Sequence, residues 1–336
     1  MKTAIIGLGP HGKRLFEAAK RISTLHMEAV VDANPKALEG LDAAYTFANY
    51  EEMLRSYGPE LVIISTNGPS HFSLAEQAIL SGVKKLVITK PLTCTLEDGL
   101  ALMQLAQQHH VKIAVDHGLR FDITYNWLRQ QIEAQTWGEL LQVNIMRNGI
   151  GLGCLATHSF DLSNFLFGYH PSKVTAWVDQ SYKANPRGAQ FVDPGGLVIL
   201  DYGHDKKTVV SQIEKAAGPM IIQLFFEDAR VVVDVKYGTL EVVSQPRGAK
   251  ASPGNPVKTS RDINPHGQEV SHPTVDLMEA ILRDLVDHID LKADVVHGLN
   301  AVEILVAAYQ SSEQGHIPIA LPVQDADYIK RFLPVT

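Results

Sequence analysis

Up to about residue 115 the chain alternates short apolar runs with longer segments whose apolar positions recur every three or four residues. The runs 3–6, 29–31, 44–47, 61–64, 86–88 and 113–115 are mostly aliphatic with little polar alternation, which predicts strands buried on both faces. Segments 13–21, 50–57, 70–80 and 96–107 predict helices between them, with Leu15, Ala18, Ala19 and Ile22 on one face of the first. Strands alternating with helices give an α/β, doubly wound parallel sheet, which binds ligands beyond the carboxyl ends of its strands. The rhythm changes after about residue 120. A helix over 122–133 precedes strand-like runs at 140–146, 174–178, 197–202, 208–212, 220–225, 230–235 and 239–243, with one helical segment at 155–167. Consecutive strands with short Gly, Asp and Lys turns predict a largely antiparallel sheet. Residues 245–265, rich in Pro, Gly, Ser and Lys, read as a loop, and two helices follow at 275–288 and 297–309.

A length of 336 residues suits two domains, placed here at 1–119 and 120–336. The 30 basic and 37 acidic side chains leave a net charge of −7 without a basic run, which argues against nucleic acid and anionic membranes as partners. No run of about 18 apolar residues and no apolar leader is seen, so neither a membrane span nor a secretory signal is expected. Cys94 and Cys154 form neither a zinc nor a disulfide pattern and read as free thiols of a cytoplasmic protein.

The first strand runs into Gly7-Leu8-Gly9-Pro10-His11-Gly12, and the second ends at Asp32, twenty residues after Gly12. G-x-G-x-x-G between strand and helix, with an acid closing the next strand, is the dinucleotide fingerprint. Gly7 makes the tight turn, Gly9 lets the backbone approach a pyrophosphate, and Gly12 lets the helix pack close to the sheet. Amide groups at the helix start bind phosphate. Asp32 accepts from a ribose 2′-hydroxyl and repels a 2′-phosphate, which favours NAD over NADP, while Lys36 nearby pulls the other way.

Other polar residues fall at the remaining strand ends. Thr66, Asn67, Ser70 and His71 follow the fourth strand, with Ser70 as a helix cap and His71 beside the dinucleotide. Thr89-Lys90-Pro91 follows the fifth; Pro91 restricts Lys90 to an extended backbone. Lys90 is either a donor to a developing alkoxide or a solvated lysine before a turn. His117 and Arg120 follow the sixth strand, facing a cleft or bracing a linker. His158 and Asp161 are three apart in a helical segment and can share a face. His158 is either an acid/base near neutrality or a helix-start histidine satisfied by a carbonyl. Arg147, Asn164 and Arg187 can hold a phosphate, a carboxylate or a nucleotide-sugar group.

Taken in order, these motifs resemble the Gfo/Idh/MocA oxidoreductases. The resemblance runs from Gly7–Gly12 through Pro69 and His71, Lys90-Pro91, Arg120-Phe121, Gly138-Glu139 and His158-x-x-Asp161 to the helix at Ala307-Ala308-Tyr309-Gln310-Ser311. It implies an N-terminal Rossmann domain and a C-terminal α/β domain whose open antiparallel sheet serves as a subunit interface in a homodimer or homotetramer. It also implies Lys90 as a catalytic lysine and His158 as the acid/base. Two positions depart from the family pattern: Thr89 stands where a glutamate usually precedes the lysine, and Cys154 where an aspartate often stands four residues before the histidine. A thiol accepts hydrogen bonds poorly and adds no negative charge.

The expected function is NAD-dependent oxidation or reduction at a secondary hydroxyl or ketone of a sugar, polyol or sugar derivative. Lys90 and His158 are expected to be catalytic. Arg120, Arg147, Cys154, Asp161 and Arg187 are expected at the substrate. Gly7, Leu8, Gly9, Pro10, His11, Gly12, Asp32, Thr66, Asn67, His71, Thr89 and Lys90 are expected at the cofactor, with no metal. Two alternatives share the fold: transient use of bound NAD for elimination, epimerisation or glycoside cleavage, and a non-catalytic dinucleotide-binding regulator.

Overall fold

The computed structural model describes residues 1–149, 151–180, 184–216, 218, 220–250 and 257–335. By internal contacts the chain divides into two units. The first comprises Met1–Phe121, Pro273–Val302 and Ile329–Thr336; the second comprises Asp122–His272 and Glu303–Tyr328. Residues 273–302 and 329–336 thus group with the N-terminal part of the chain.

The first unit is built on strands β1 (Lys2–Ile6), β2 (His26–Val31), β3 (Tyr45–Phe47), β4 (Leu61–Ile64), β5 (Lys85–Ile88) and β6 (Lys112–Val115), in the order β3-β2-β1-β4-β5-β6. Every pairing is parallel. That order reverses between β1 and β4, the switch point where such sheets bind dinucleotides. The crossovers carry α1 (Pro10–Lys20), the short α2 (Pro35–Leu38), α3 (Tyr50–Tyr57), α4 (His71–Leu80) and α5 (Leu96–His109). Their starts are chemically marked. Asn49 accepts from the Glu52 amide at 2.9 Å and Thr95 from the Asp98 amide at 2.9 Å, each satisfying a donor that the first helical turn leaves open. Ser70 departs from expectation: its Oγ bonds Thr66 Oγ1 at 2.7 Å and the Asn67 carbonyl at 2.8 Å, leaving α4 without a side-chain cap.

Helices of the second unit and the chain's end are α6 (Ile123–Glu133), α7 (Thr157–Phe167), α8 (Thr274–Asp287), α9 (Val295–Glu313) and α10 (Ala326–Ile329). Although α8 follows the second sheet in sequence, it joins the first unit's core. Met278, Ile281, Leu282 and Leu285 pack with Leu15, Phe16, Ala19 and Ile22, all buried. The apolar stripe read on the first helix is thus covered by a segment more than 250 residues away.

The second unit holds β7 (Leu140–Asn148), β8 (Lys173–Val178), β9 (Gly196–Gly203), β10 (Lys206–Ile213), β11 (Ile221–Phe226), β12 (Ala229–Asp234), β13 (Thr239–Ser244), β14 (Ser260–Ile263) and β15 (Ile319–Ala320). They form one sheet in the order β14-β13-β12-β11-β7-β10-β9-β8-β15. Among the described residues of this sheet only β7 and β10 pair parallel: β7 enters the sheet centre from α6, between the β9–β10 and β11–β12 hairpins. The 245–265 loop reading is corrected: residues 260–263 form an edge strand on β13, with Ser260 Oγ on Ser244 Oγ at 2.9 Å. Residues 251–256 lie outside those described. One face of the sheet buries Val143, Ile145, Val198, Leu200, Val210, Ile222 and Leu224. The other exposes Met146 and Ile213 and has a shallow depression of about 380 Å³ lined in part by Asn144, Val209, Ser211 and Gln223.

Candidate active site

In the first unit, Gly7 has φ +90° and donates its amide to the Val31 carbonyl at 2.9 Å. A Cβ at Gly7 would lie 2.4 Å from the Ser65 carbonyl oxygen, and one at Gly12 would lie 1.9 Å from the Gly7 oxygen. Only glycine fits at either position. Gly9 is different, with nothing within 4 Å of its missing Cβ. Its role is to leave bare backbone before α1, which has Pro10 in its first turn, no side-chain cap and no acid there. The Asp32 carboxylate accepts from the Leu8 amide at 2.7 Å through Oδ2 and from the Asn34 amide at 2.8 Å through Oδ1. The acid is thereby fixed beside the glycine loop.

The other strand ends converge nearby. His71 is fully buried, with Nδ1 on the Pro91 carbonyl at 2.8 Å and Nε2 on the Thr66 carbonyl at 3.2 Å. Burial lowers its pKa. His71, expected beside the dinucleotide, has its ring on the turns after β4 and β5, and Thr89 Oγ1 lies 3.4 Å from the same Nε2. Asn67 is exposed, Thr89 buried and Lys90 half-buried, and the Lys90–Pro91 bond is cis. His11 reaches the carboxylate of Asp116, at the end of β6, at 2.5 Å. Arg120, expected at the substrate, is buried and donates to the Lys292 carbonyl at 3.2 Å.

In the second unit, α7 carries half-buried His158 and buried Asp161 one turn apart. A π-helical turn, Leu152–Ala156, leads into it. Both oxygens of Asp193 accept backbone amides of that turn, from Gly153 and Cys154, each at 2.7 Å. Cys154 is buried, and Arg187 Nη1 lies 3.5 Å from its sulfur. Arg147, on β7, donates to the Leu155 carbonyl at 3.3 Å. Burial lowers its pKa, with Tyr125 and Cys154 acting the other way. Asn164 is buried; its Oδ1 accepts from Tyr202 at 2.8 Å and its Nδ2 lies 3.3 Å from His170. Of the two loops bordering these residues, Ile150 and residues 181–183 lie outside those described. Asp116 and Asp193 were not singled out from sequence; the only local sign of Asp193 is its place before Pro194-Gly195-Gly196.

The profile of an oxidoreductase family with an NAD-binding Rossmann fold matches residues 1–117, and that of the same family's C-terminal alpha/beta domain matches residues 119–321. The chain belongs to the Gfo/Idh/MocA oxidoreductase family. An inositol 2-dehydrogenase of Arthrobacter sp. is 25% identical over 275 residues, covering 76% of this chain and 80% of that protein. A UDP-N-acetylglucosamine 3-dehydrogenase of Acidithiobacillus ferrooxidans is 26% identical over 272 residues, with the same coverage. An uncharacterized oxidoreductase of Synechocystis sp. is 29% identical, but the match spans 38% of this chain and 39% of that protein. Among solved structures, a levoglucosan dehydrogenase in complex with NADH and levoglucosan shares the fold with a TM-score of 0.79 at 16% identity, covering 96% of this chain and 99% of that one. The residues of this Gfo/Idh/MocA member fit a dinucleotide: the bare loop at Gly9, the uncapped helix start and the anchored Asp32 supply amide donors and a ribose acceptor. Among the described residues no cluster of metal-ligating side chains is found, and no helix is long and apolar enough to cross a membrane.

Proposed function

We propose that this protein is an NAD-dependent dehydrogenase acting on a secondary hydroxyl of a carbohydrate that carries an acidic group. The observation that supports the cofactor most directly is the Asp32 carboxylate, held by the Leu8 and Asn34 amides where a 2′-phosphate would be repelled. NAD held by the Gly7–Gly12 loop and Asp32 would supply a hydride acceptor in the oxidative direction and a hydride donor in the other. The protein's part is positional and electrostatic. Lys90 donates to the substrate oxygen and stabilises negative charge as it develops there. His158 takes the hydroxyl proton, for which an imidazole near neutrality is suited. Asp161 accepts from a neighbouring hydroxyl.

The acidic group is argued from Arg147 and Arg187. Arg147 is a desolvated guanidinium bonded to a neutral carbonyl, and such a cation is stabilised by an anion of matching geometry. Arg187 brings a second guanidinium to the Cys154 sulfur. A sugar carboxylate or phosphate suits both.

Two measurements test these readings. In a thermal-shift titration, NAD⁺ and NADH are expected to raise the melting temperature with increasing concentration, and NADP⁺ and NADPH to do so weakly. A larger shift with the NADP pair would overturn the role given to Asp32. When NADH formation is followed by absorbance, glucuronate or UDP-N-acetylglucosamine is expected to give at least about tenfold higher kcat/KM than myo-inositol, the value of one charge-assisted hydrogen bond. Equal or better use of myo-inositol would remove the acidic group from the proposal.

A further inference from the structure

The His11 ring meets the Asp116 carboxylate through Nε2 at 2.5 Å, a bond between residues 105 apart in sequence. His11 lies in the first turn of α1, and Asp116 directly follows β6. In the order β3-β2-β1-β4-β5-β6 the bond therefore ties the segment after β1 to the strand at the far edge of the sheet's other half. A sheet of this order takes one mononucleotide half of its ligand on each side of the switch point, with the pyrophosphate at the first helix. Asp32, closing β2, marks the adenosine side, so β4, β5 and β6 mark the nicotinamide side. His11 thus extends from the pyrophosphate position toward the nicotinamide half. The Asp116 side chain is 5% exposed, whereas that of His11 keeps 31%. Burial pushes the Asp116 carboxyl up, but His11, with Lys90 and His117, outweighs it and holds it below the usual carboxylate range. A carboxylate only accepts, so Nε2 is the donor of this bond. Among the described residues the His11 ring has no other hydrogen bond, and Nδ1 is the nitrogen left to a ligand.

We propose that His11 binds the nicotinamide-side ribose of the dinucleotide through Nδ1, and that Asp116 is the positioning residue that fixes the ring for that contact. With Nε2–H held by a carboxylate, a neutral ring offers Nδ1 as an acceptor, which suits a hydroxyl rather than a phosphate oxygen. A hydroxyl both donates and accepts, so it meets Nδ1 whichever charge the ring carries. The phosphates have their donors in the bare backbone at Gly9 and the uncapped start of α1. The proposal rests on the dinucleotide site alone and on no carbohydrate chemistry.

The test is calorimetric titration of the full chain with two ligands. ADP carries the adenosine half and two phosphates; ADP-ribose adds the second ribose. His11→Ala and Asp116→Ala are each expected to weaken ADP-ribose about fivefold, the worth of one hydrogen bond, and to leave ADP within about twofold of wild type. Asp116→Asn keeps an acceptor for Nε2–H and should restore ADP-ribose binding to within about twofold. The double variant, His11→Ala with Asp116→Ala, should bind ADP-ribose no worse than His11→Ala, because the carboxylate acts through the ring. ADP-ribose affinity unchanged in folded His11→Ala would overturn the proposal. Equal losses for both ligands would do so too, since they would mark a loosened glycine loop. Losses that add in the double variant, or an Asp116→Asn that behaves like Asp116→Ala, would remove the positioning role of Asp116. If His11→Ala fails to fold with its buried carboxylate stranded, the double variant carries the same expectation, and unchanged ADP-ribose binding there would overturn the proposal. A wild type that binds neither ligand would sink the dinucleotide reading itself, a result distinct from binding that the variants leave unchanged.

Discussion

Replacing Lys90 with Ala is expected to lower kcat by about a thousandfold while leaving NADH affinity within about threefold of wild type. The separation follows from where the two functions reside. Cofactor affinity is assigned to the bare backbone at Gly9, the start of α1 and the carboxylate of Asp32, none of which depends on the lysine for its geometry. Lys90 is buttressed independently: His71 holds the Pro91 carbonyl at 2.8 Å, so truncating the lysine side chain leaves its backbone pinned. His158→Ala should cost a comparable factor through proton transfer. If the two residues act on one oxygen, the double variant should fall little below the worse single variant, since groups that work as a unit are strongly non-additive. Rates from NADH absorbance and affinities from NADH fluorescence decide the matter. Turnover that survives Lys90→Ala within tenfold would remove the lysine from the chemistry.

Legibility from sequence followed the range of the interaction concerned. The parallel strands were readable because β1, β2, β4, β5 and β6 each carry a short apolar run buried on both faces, unlike the largely exposed β3, and their register brings Ile6, Val31, Ile64, Ile88 and Val115 to one end of the sheet. Gly7 and Gly12 were readable for a steric reason that coordinates repeat: a side chain at either would strike backbone oxygen. What stayed hidden was set by distant partners. A buried arginine and one lining a cleft look alike in sequence; that Arg120 is buried and bonds the Lys292 carbonyl, 172 residues on, has no local sign. The ring of His71 turned inward for the same reason, drawn by Pro91. The strand at 260–263 was masked by a Pro/Gly-rich neighbourhood, and its four residues, all exposed, show no apolar alternation because it is an edge strand held by pairing with β13. Two carboxylates with structural consequence, Asp116 and Asp193, lacked any local signature because their partners lie 105 and about 40 residues away.

Asp193→Ala is expected to destabilise the second unit by about 3 kcal/mol and to lower turnover at least tenfold, with NADH binding unchanged. The carboxylate is 2% exposed and accepts the Gly153 and Cys154 amides at 2.7 Å, so its loss strands two buried donors, each worth about 1–3 kcal/mol. Nothing nearby can replace it from the turn itself, since neither the π-helical turn nor α7 has a side-chain cap. Gly151 shows how closely the carboxylate is fitted: its φ is +74°, and a Cβ there would lie 1.9 Å from the Asp193 carboxyl carbon. At roughly 2–4 °C per kcal/mol for domains of this size, the melting temperature should fall by about 6–12 °C. The activity loss follows because the turn that Asp193 caps holds Cys154 and opens directly into the helix bearing His158. NADH affinity should survive, because residues 7–12 and 32 belong to the other unit. Asp193→Asn should fall between the two, keeping one acceptor oxygen while setting its NH2, a donor, against an N–H that needs an acceptor. A variant that melts within about 1 °C of wild type would show that water or a neighbouring group satisfies the turn, and the carboxylate would lose its part in holding His158 in place.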